Sequence, residues 1–130
     1  MTAEQLKAAE RLERYIQREQ LVSVMNDTKW RELQSAMVGV RPAQPRYRVK
    51  PVQSSEPSGW ERDWATHLGL FESIEWVDVD PIHRERRGRL VTDLEHDMTD
   101  QVADLLGERS IPYELHPDYI RIHGYRRTAG

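Results

Sequence analysis

Six residues between Asp78 and Asp97 carry side chains that bind cations or move protons: Asp78, Asp80, His83, Glu95, His96 and Asp97. Imidazole beside carboxylate suits general acid–base work or a divalent ion. The spacing that such chemistry needs is missing: there is no His-Glu-x-x-His run, and no loop sets acids at alternating positions about a central Gly. With 22 acids and five His in 130 residues, neighbourhoods of this kind arise by chance. The stretch therefore reads as charged surface loops, with no catalytic residue and no metal ligand assigned. Cysteine is absent, which removes thiolate nucleophiles, disulfides and sulfur-ligated zinc. Gly-x-Ser-x-Gly, phosphate-cradling and dinucleotide signatures are missing too, so no cofactor is expected. A small enzyme using His83 or His96 with nearby acids, metal-dependent or not, is one alternative, and it requires a concave pocket that joins them.

Three further groups invite a binding reading. The run from His83 to Arg89 (HRERRGR) is basic, but it contains Glu85 in a chain of net charge −3 and pI ≈ 6.0. Nucleic-acid contact through this loop is disfavoured; as a second alternative it needs Arg46, Arg48 and Lys50 to join the loop in one patch. Trp60, Trp64 and His67 fall at i, i+4 and i+7 with Asp63 among them, which is one face if the segment is helical and Gly69 its stop. Such rings either fill the core or form a Trp-centred binding hot spot, and an exposed indole would favour the second. Trp30 and Trp76 read as core. Lastly, Asp93, Asp97, Asp100 and Asp104 follow i, i+4, i+7 and i+11, an acidic ridge for a basic partner if helicity reaches back to Asp93.

The elements that must position these groups follow from periodicity and punctuation. Leu6, Ala9, Leu12 and Ile16 with Ala8 and Tyr15 predict a first helix from Ala3 to about Met25. Asn26-Asp27-Thr28 caps a second, in which Trp30, Leu33 and Met37 repeat until Gly39. Tyr47 to Lys50 alternates as a half-exposed strand, placed at an edge by Pro51. Ile74 to Val79 has apolar side chains on both faces and reads as an inner strand. HRERRGR is a loop, followed by a short strand at Leu90-Val91. Met98, Val102, Leu105 and Leu106 trace a third helix from Asp97 or slightly earlier. Tyr113 to Leu115 and Tyr119 to Ile122 flank the turn His116-Pro117-Asp118 as a closing hairpin. The connections are short, so the expected fold is α+β: a single mainly antiparallel sheet with helices packed on a face, preceded by an N-terminal helix.

Read in order, NDTKWRELQSAM, W-x-x-D-W-x-x-H, IEWVDV, IPYEL and IRIHGY resemble a family of small bacterial domains of unknown function. The likeness covers Asn26 to Tyr125 and leaves the first helix outside. It divides the chain into a helical extension, residues 1–25, and one α+β domain, residues 26–130. It carries no activity or site residue onto these positions. By analogy of class, small bacterial domains of this kind include immunity proteins, which neutralise a toxin encoded beside them.

The expectation is thus a non-catalytic protein-binding domain, an immunity protein in its sharpest form, with Trp60, Asp63, Trp64, His67, Asp93, Asp97, Asp100 and Asp104 as partner-binding residues. The first helix is a candidate homodimerisation arm. The first twenty residues carry charges throughout, with no apolar run for export or a membrane span, so a cytoplasmic location with no membrane partner is expected.

Overall fold

Three segments share one period-two phase: Tyr47 and Val49, Val77 and Val79, Ile120 and Ile122 alternate with Arg48, Asp78 and Arg121. Each is a strand with one apolar and one charged face. In a computed structural model describing Thr2–Thr128, the elements run α1 (Ala3–Arg18), β1 (Leu21–Ser23), α2 (Asp27–Val38), β2 (Arg46–Pro51), a 3-10 turn (Phe71–Ser73) and β3 (Ile74–Asp80). They continue with β4 (Ile82–Glu85), β5 (Leu94–Asp97), α3 (Thr99–Glu108), β6 (Glu114–Leu115), β7 (Ile120–His123) and β8 (Tyr125–Arg127). Met1 and residues 129–130, the end of the expected 26–130 domain, lie outside the described residues.

The main sheet is antiparallel in the order β2-β3-β7-β6. Its register sets Val79 between Tyr47 and Ile120, and Val77 between Val49 and Ile122. Trp30, Leu33 and Met37 of α2 and Val102 and Leu106 of α3 join these side chains in one buried cluster, so both helices cover the apolar face. The expected α+β class and helix-on-sheet packing are observed, with a difference in the sheet. Two further antiparallel pairs, β1-β8 and β4-β5, stand apart from it. Pro81 has no N–H to continue the ladder, and the Asp80 carboxylate accepts from the Ile82 N–H at 3.0 Å, turning the chain out into the β4-β5 hairpin.

Four expectations need correction. The first helix ends at Arg18, not near Met25, because Gln20 takes φ 55° and Leu21–Ser23 pairs with β8. Leu90 and Val91 are turn residues; the strand that pairs with β4 is Leu94–Asp97. Residues 60–69 form no helix: Glu61 bridges to Tyr47, and residues 64–68 are turns and bends. Asp63 accepts from the N–H groups of Ala65 and Thr66 and from the Thr66 hydroxyl, a local closure that competes with helix propagation. Finally, α3 starts at Thr99, since the Asp97 carboxylate accepts from the Thr99 N–H at 3.0 Å and closes a turn before the helix.

Tyr47 shows how tightly the β2 side is sealed. Its ring is fully buried against Trp64, with centroids 4.2 Å apart, and its hydroxyl donates to the Asp63 carbonyl at 2.7 Å. Burial, then the nearby Glu61 and Asp63 charges, push its phenol up from 10.0 to about 12. Above pH 10 the unfolded chain releases this proton and the folded chain keeps it, so stability is full below pH 10 and drains away toward pH 12. Two units correspond to about 2–3 kcal/mol. Urea unfolding at pH 8, 10 and 11.5 should show the loss, with a shallower slope in Tyr47→Phe; equal slopes would rule out this source.

Candidate functional site

The charged face of the main sheet is built by register. Directly opposite residues of an antiparallel sheet share a face, and the pairs Arg48↔Asp78, Asp78↔Arg121 and Arg121↔Glu114 lay a row of alternating charge across all four strands. Lys50, Trp76 and His123 form the next row, and Arg46 with Asp80 flanks it on the other side.

Asp78 anchors the row and is 0% exposed. Arg121 grips it through two bonds, Nε to Oδ1 at 2.7 Å and Nη2 to Oδ2 at 3.0 Å, and Arg48 adds Nε at 3.1 Å and Nη2 at 3.0 Å to Oδ2. A buried carboxylate is tolerable only with such compensation. The same contacts hold the Arg121 guanidinium firmly charged, the hydrogen bond to Asp78 being the largest cause. With both oxygens engaged by guanidinium N–H groups, Asp78 is a strut and not a base.

Aromatic rings lock the guanidinium planes. Arg121 lies 3.7 Å from the Trp76 ring centroid and 5.1 Å from that of Tyr119; Arg48 lies 4.8 Å from Trp60 and 5.7 Å from Tyr119. Arg46, paired with Asp80, also sits under Trp60 at 5.2 Å. Trp60 is the outermost ring, 38% exposed. It is brought there by the segment 58–61, which bonds along the open edge of β2 through Ser58 N–H to Val49 O at 2.7 Å and a reciprocal Tyr47–Glu61 pair. At the far edge Glu114 accepts from His123 at 2.9 Å, and this bond, as the largest cause, lowers its pKa from the ordinary carboxylate value.

The residues expected to act together are dispersed. Trp64 is fully buried and donates its indole N–H to Pro45 O at 2.9 Å, whereas Trp60 faces out, so the one-face arrangement of Trp60, Trp64 and His67 is not formed. Asp63 serves its turn, and its hydrogen bonds with Thr66 lower its pKa. His67 lies 3.8 Å from that carboxylate. The acidic ridge is also broken. Asp93 precedes β5, Asp97 ends it, and Asp100 and Asp104 alone ride on α3. Trp30 is core as expected, but Trp76 belongs to the charged face, where it carries Arg121.

The residues weighed for a metal go separate ways. Asp78 and Asp80 are held by arginines, and His83 and His96 face each other across β4-β5 with rings 5.8 Å apart. Glu85 takes up His96 at 3.0 Å and Arg62 approaches His83 at 3.4 Å. Among the described residues no three of His, Asp and Glu gather so as to hold a metal ion. Nor do Arg46, Arg48 and Lys50 add free charge to the HRERRGR run, whose first three residues lie in β4 and not in the expected loop, since Asp80, Asp78 and Glu75 pair with them.

One family model matches residues 12–129, that of a family of unknown function, DUF6678. The chain belongs to this family. The DUF6678 match runs beyond the expected Asn26 to Tyr125, taking in the second half of α1 and both strands of the β1-β8 pair, and it contains the whole charged face. No curated protein and no solved structure shows significant similarity to this DUF6678 member. No helix among its described residues is long and apolar enough to cross a membrane.

The signal for the Asp78 ladder was present in the shared alternation of Tyr47–Lys50, Val77–Asp80 and Ile120–His123. Arg48 and Arg121 were missed because charged residues on a strand ordinarily face water singly, and nothing local says that two of them share one acid.

Proposed function

We propose that this protein is a non-catalytic binding domain for another protein, acting in the cytoplasm as an immunity protein does when it occludes a toxin encoded beside it. The observation that carries the reading is Trp60, a part-exposed indole stacked on two arginines that buried or nearly buried carboxylates hold in place. Trp and Arg dominate binding hot spots because they bury large area at low entropy cost, and here the ordering cost is met before any partner arrives. The free guanidinium N–H groups suit carboxylates or backbone carbonyls on the partner. Catalysis is less well supported, since Asp78 is fully buried with both oxygens held by arginines, His96 is engaged by Glu85, and His83 lies beside Arg62.

The test is calorimetric titration with the product of the adjacent gene. Trp60→Ala is expected to weaken binding by at least about 30-fold, equivalent to about 2 kcal/mol, while unfolding stability changes by under about 1 kcal/mol. Asp100→Asn/Asp104→Asn, on the helix-covered side, should leave affinity unchanged. Binding insensitive to Trp60 would sink the proposal.

A further inference from the structure

Among the described residues α1 is the one α-helix that buries no side chain, although its sequence is strongly two-faced. Ala8, Leu12 and Tyr15, with Ala9 and Ile16 beside them, form an apolar stripe. Ala8 and Ala9 are exposed and the other three only half-buried. The helix is well formed in its own right: Thr2 and Gln5 close a capping box at its start, and Arg18 lies in its last turn. Its stripe overlooks a groove of ≈ 480 Å³ between α1 and the main body, and the opposite wall carries Leu70, 69% exposed. An apolar stripe facing an apolar groove, both open to water, lacks a third element.

The charges beside the stripe indicate what that element is. Glu4, Arg11 and Arg18 recur every seven residues along one flank, the interval that keeps side chains on the edge of a helix–helix seam. Laid against itself antiparallel, this flank sets Glu4 of each copy opposite Arg18 of the other, giving two complementary pairs. A parallel arrangement brings each residue level with its own copy and offers none. Arg11 meets its counterpart on the axis, the one unfavourable contact, which limits the affinity. A membrane surface fits less well. Between Ala3 and Arg18 three acids (Glu4, Glu10, Glu13) interrupt four basic residues, and there is no Trp or Phe.

We propose that α1 is a self-association helix: the α1 helices of two copies pair antiparallel about a two-fold axis near Arg11, each lying in the other's groove and covering Leu12 and Leu70. Each helix is about 24 Å long at 1.5 Å per residue, so Glu4 and Arg18 lie about 21 Å apart and each pairs at its own end of the seam. This surface is independent of the Trp60 face, so its failure would leave the protein-binding reading untouched.

Sedimentation equilibrium of the full chain tests it. The wild type should dimerise with a Kd of about 10–100 µM. Leu12→Glu should stay monomeric throughout and, measured well below that Kd where the wild type is also monomeric, should keep the wild-type melting temperature, since α1 buries no side chain. Arg18→Glu alone and Glu4→Arg alone each create two like-charge pairs and should dimerise at least about tenfold more weakly. An equimolar mixture of the two should associate about as well as wild type, because only the mixed dimer has opposite charges at both ends. A wild type still monomeric at about 200 µM overturns the proposal, given the Kd range expected. So does a Leu12→Glu dimer, or a mixture no stronger than its components. Wild-type chain that co-sediments with phosphatidylglycerol vesicles, while Leu12→Glu does not, assigns the stripe to a lipid surface instead and overturns it as well.

Discussion

Gly124→Ala is expected to destabilise the protein by about 3 kcal/mol or more, through a clash that no side-chain rotation relieves. Gly124 joins β7 to β8, donates its N–H to Glu75 O at 2.7 Å and accepts from Val24 N–H at 2.9 Å. A Cβ there would lie 2.2 Å from the backbone oxygen of Ile74 and 3.0 Å from Cζ2 of buried Trp30. The first neighbour is the main chain of an inner strand, and the second is wedged in the core. Relief requires β3 and β7 to part where β8 leaves for β1. Gly59→Ala is the control, because a Cβ at that position meets nothing within 4 Å. Urea unfolding at neutral pH should separate the two, with Gly59→Ala within about 0.5 kcal/mol of wild type. Equal midpoints would mean that the strands at Gly124 yield far more readily than a packed sheet should.

Asp78→Ala comes next. Removing the shared carboxylate leaves the Arg48 and Arg121 guanidiniums facing each other without an anion, and one-sided removal from a buried ion pair typically costs about 3–5 kcal/mol. Their partial exposure, 28% and 22% of the side chain, lets water solvate them in part and puts the expectation near about 3 kcal/mol. Arg48→Ala should cost less, about 1–2 kcal/mol, because the two-bond grip of Arg121 on Asp78 survives it. Replacing all three charges at once, Arg48→Met/Asp78→Leu/Arg121→Met, should recover most of the loss, since an apolar trio pays no desolvation. Chemical denaturation of the three variants beside the wild type gives the order directly. A triple variant as unstable as Asp78→Ala would show that the ladder stabilises beyond its own internal compensation. On the proposed function that triple variant folds but no longer seats Trp60, so it should bind the adjacent-gene product as poorly as Trp60→Ala.

Local chemistry was readable wherever one element suffices to decide it. Asn26 caps α2 through the Lys29 N–H at 2.8 Å, as the Asn-Asp-Thr cluster indicates. The inner position of β3, the edge position of β2 and the closing hairpin follow from alternation and turn residues. The errors came where two local tendencies compete. Asp63 and Asp97 were read as members of helical faces, but each closes a turn with a threonine two or three residues on, and that short-range bond outweighs the periodicity around it. Trp60 and Trp64 look equivalent by spacing. They separate because Trp64 has a buried carbonyl at Pro45 to receive its N–H, while Trp60 is carried out along the β2 edge.

By itself, then, the sequence determined the alternation along β2 and β7, the inner position of β3 and the caps of α2, because these depend on residues a few positions apart. Register was left to the tertiary structure. Arg48 and Asp78 are 30 residues apart, and Asp78 and Arg121 are 43. Alternation says that these side chains share a face, but not that they share a row, and a slip of two residues would keep the phase while breaking the ladder. Long-range packing of Val77 and Val79 against Ile120, Ile122 and the helices fixes that slip at zero. Only then do an acid and two arginines become a buried strut beneath an exposed tryptophan.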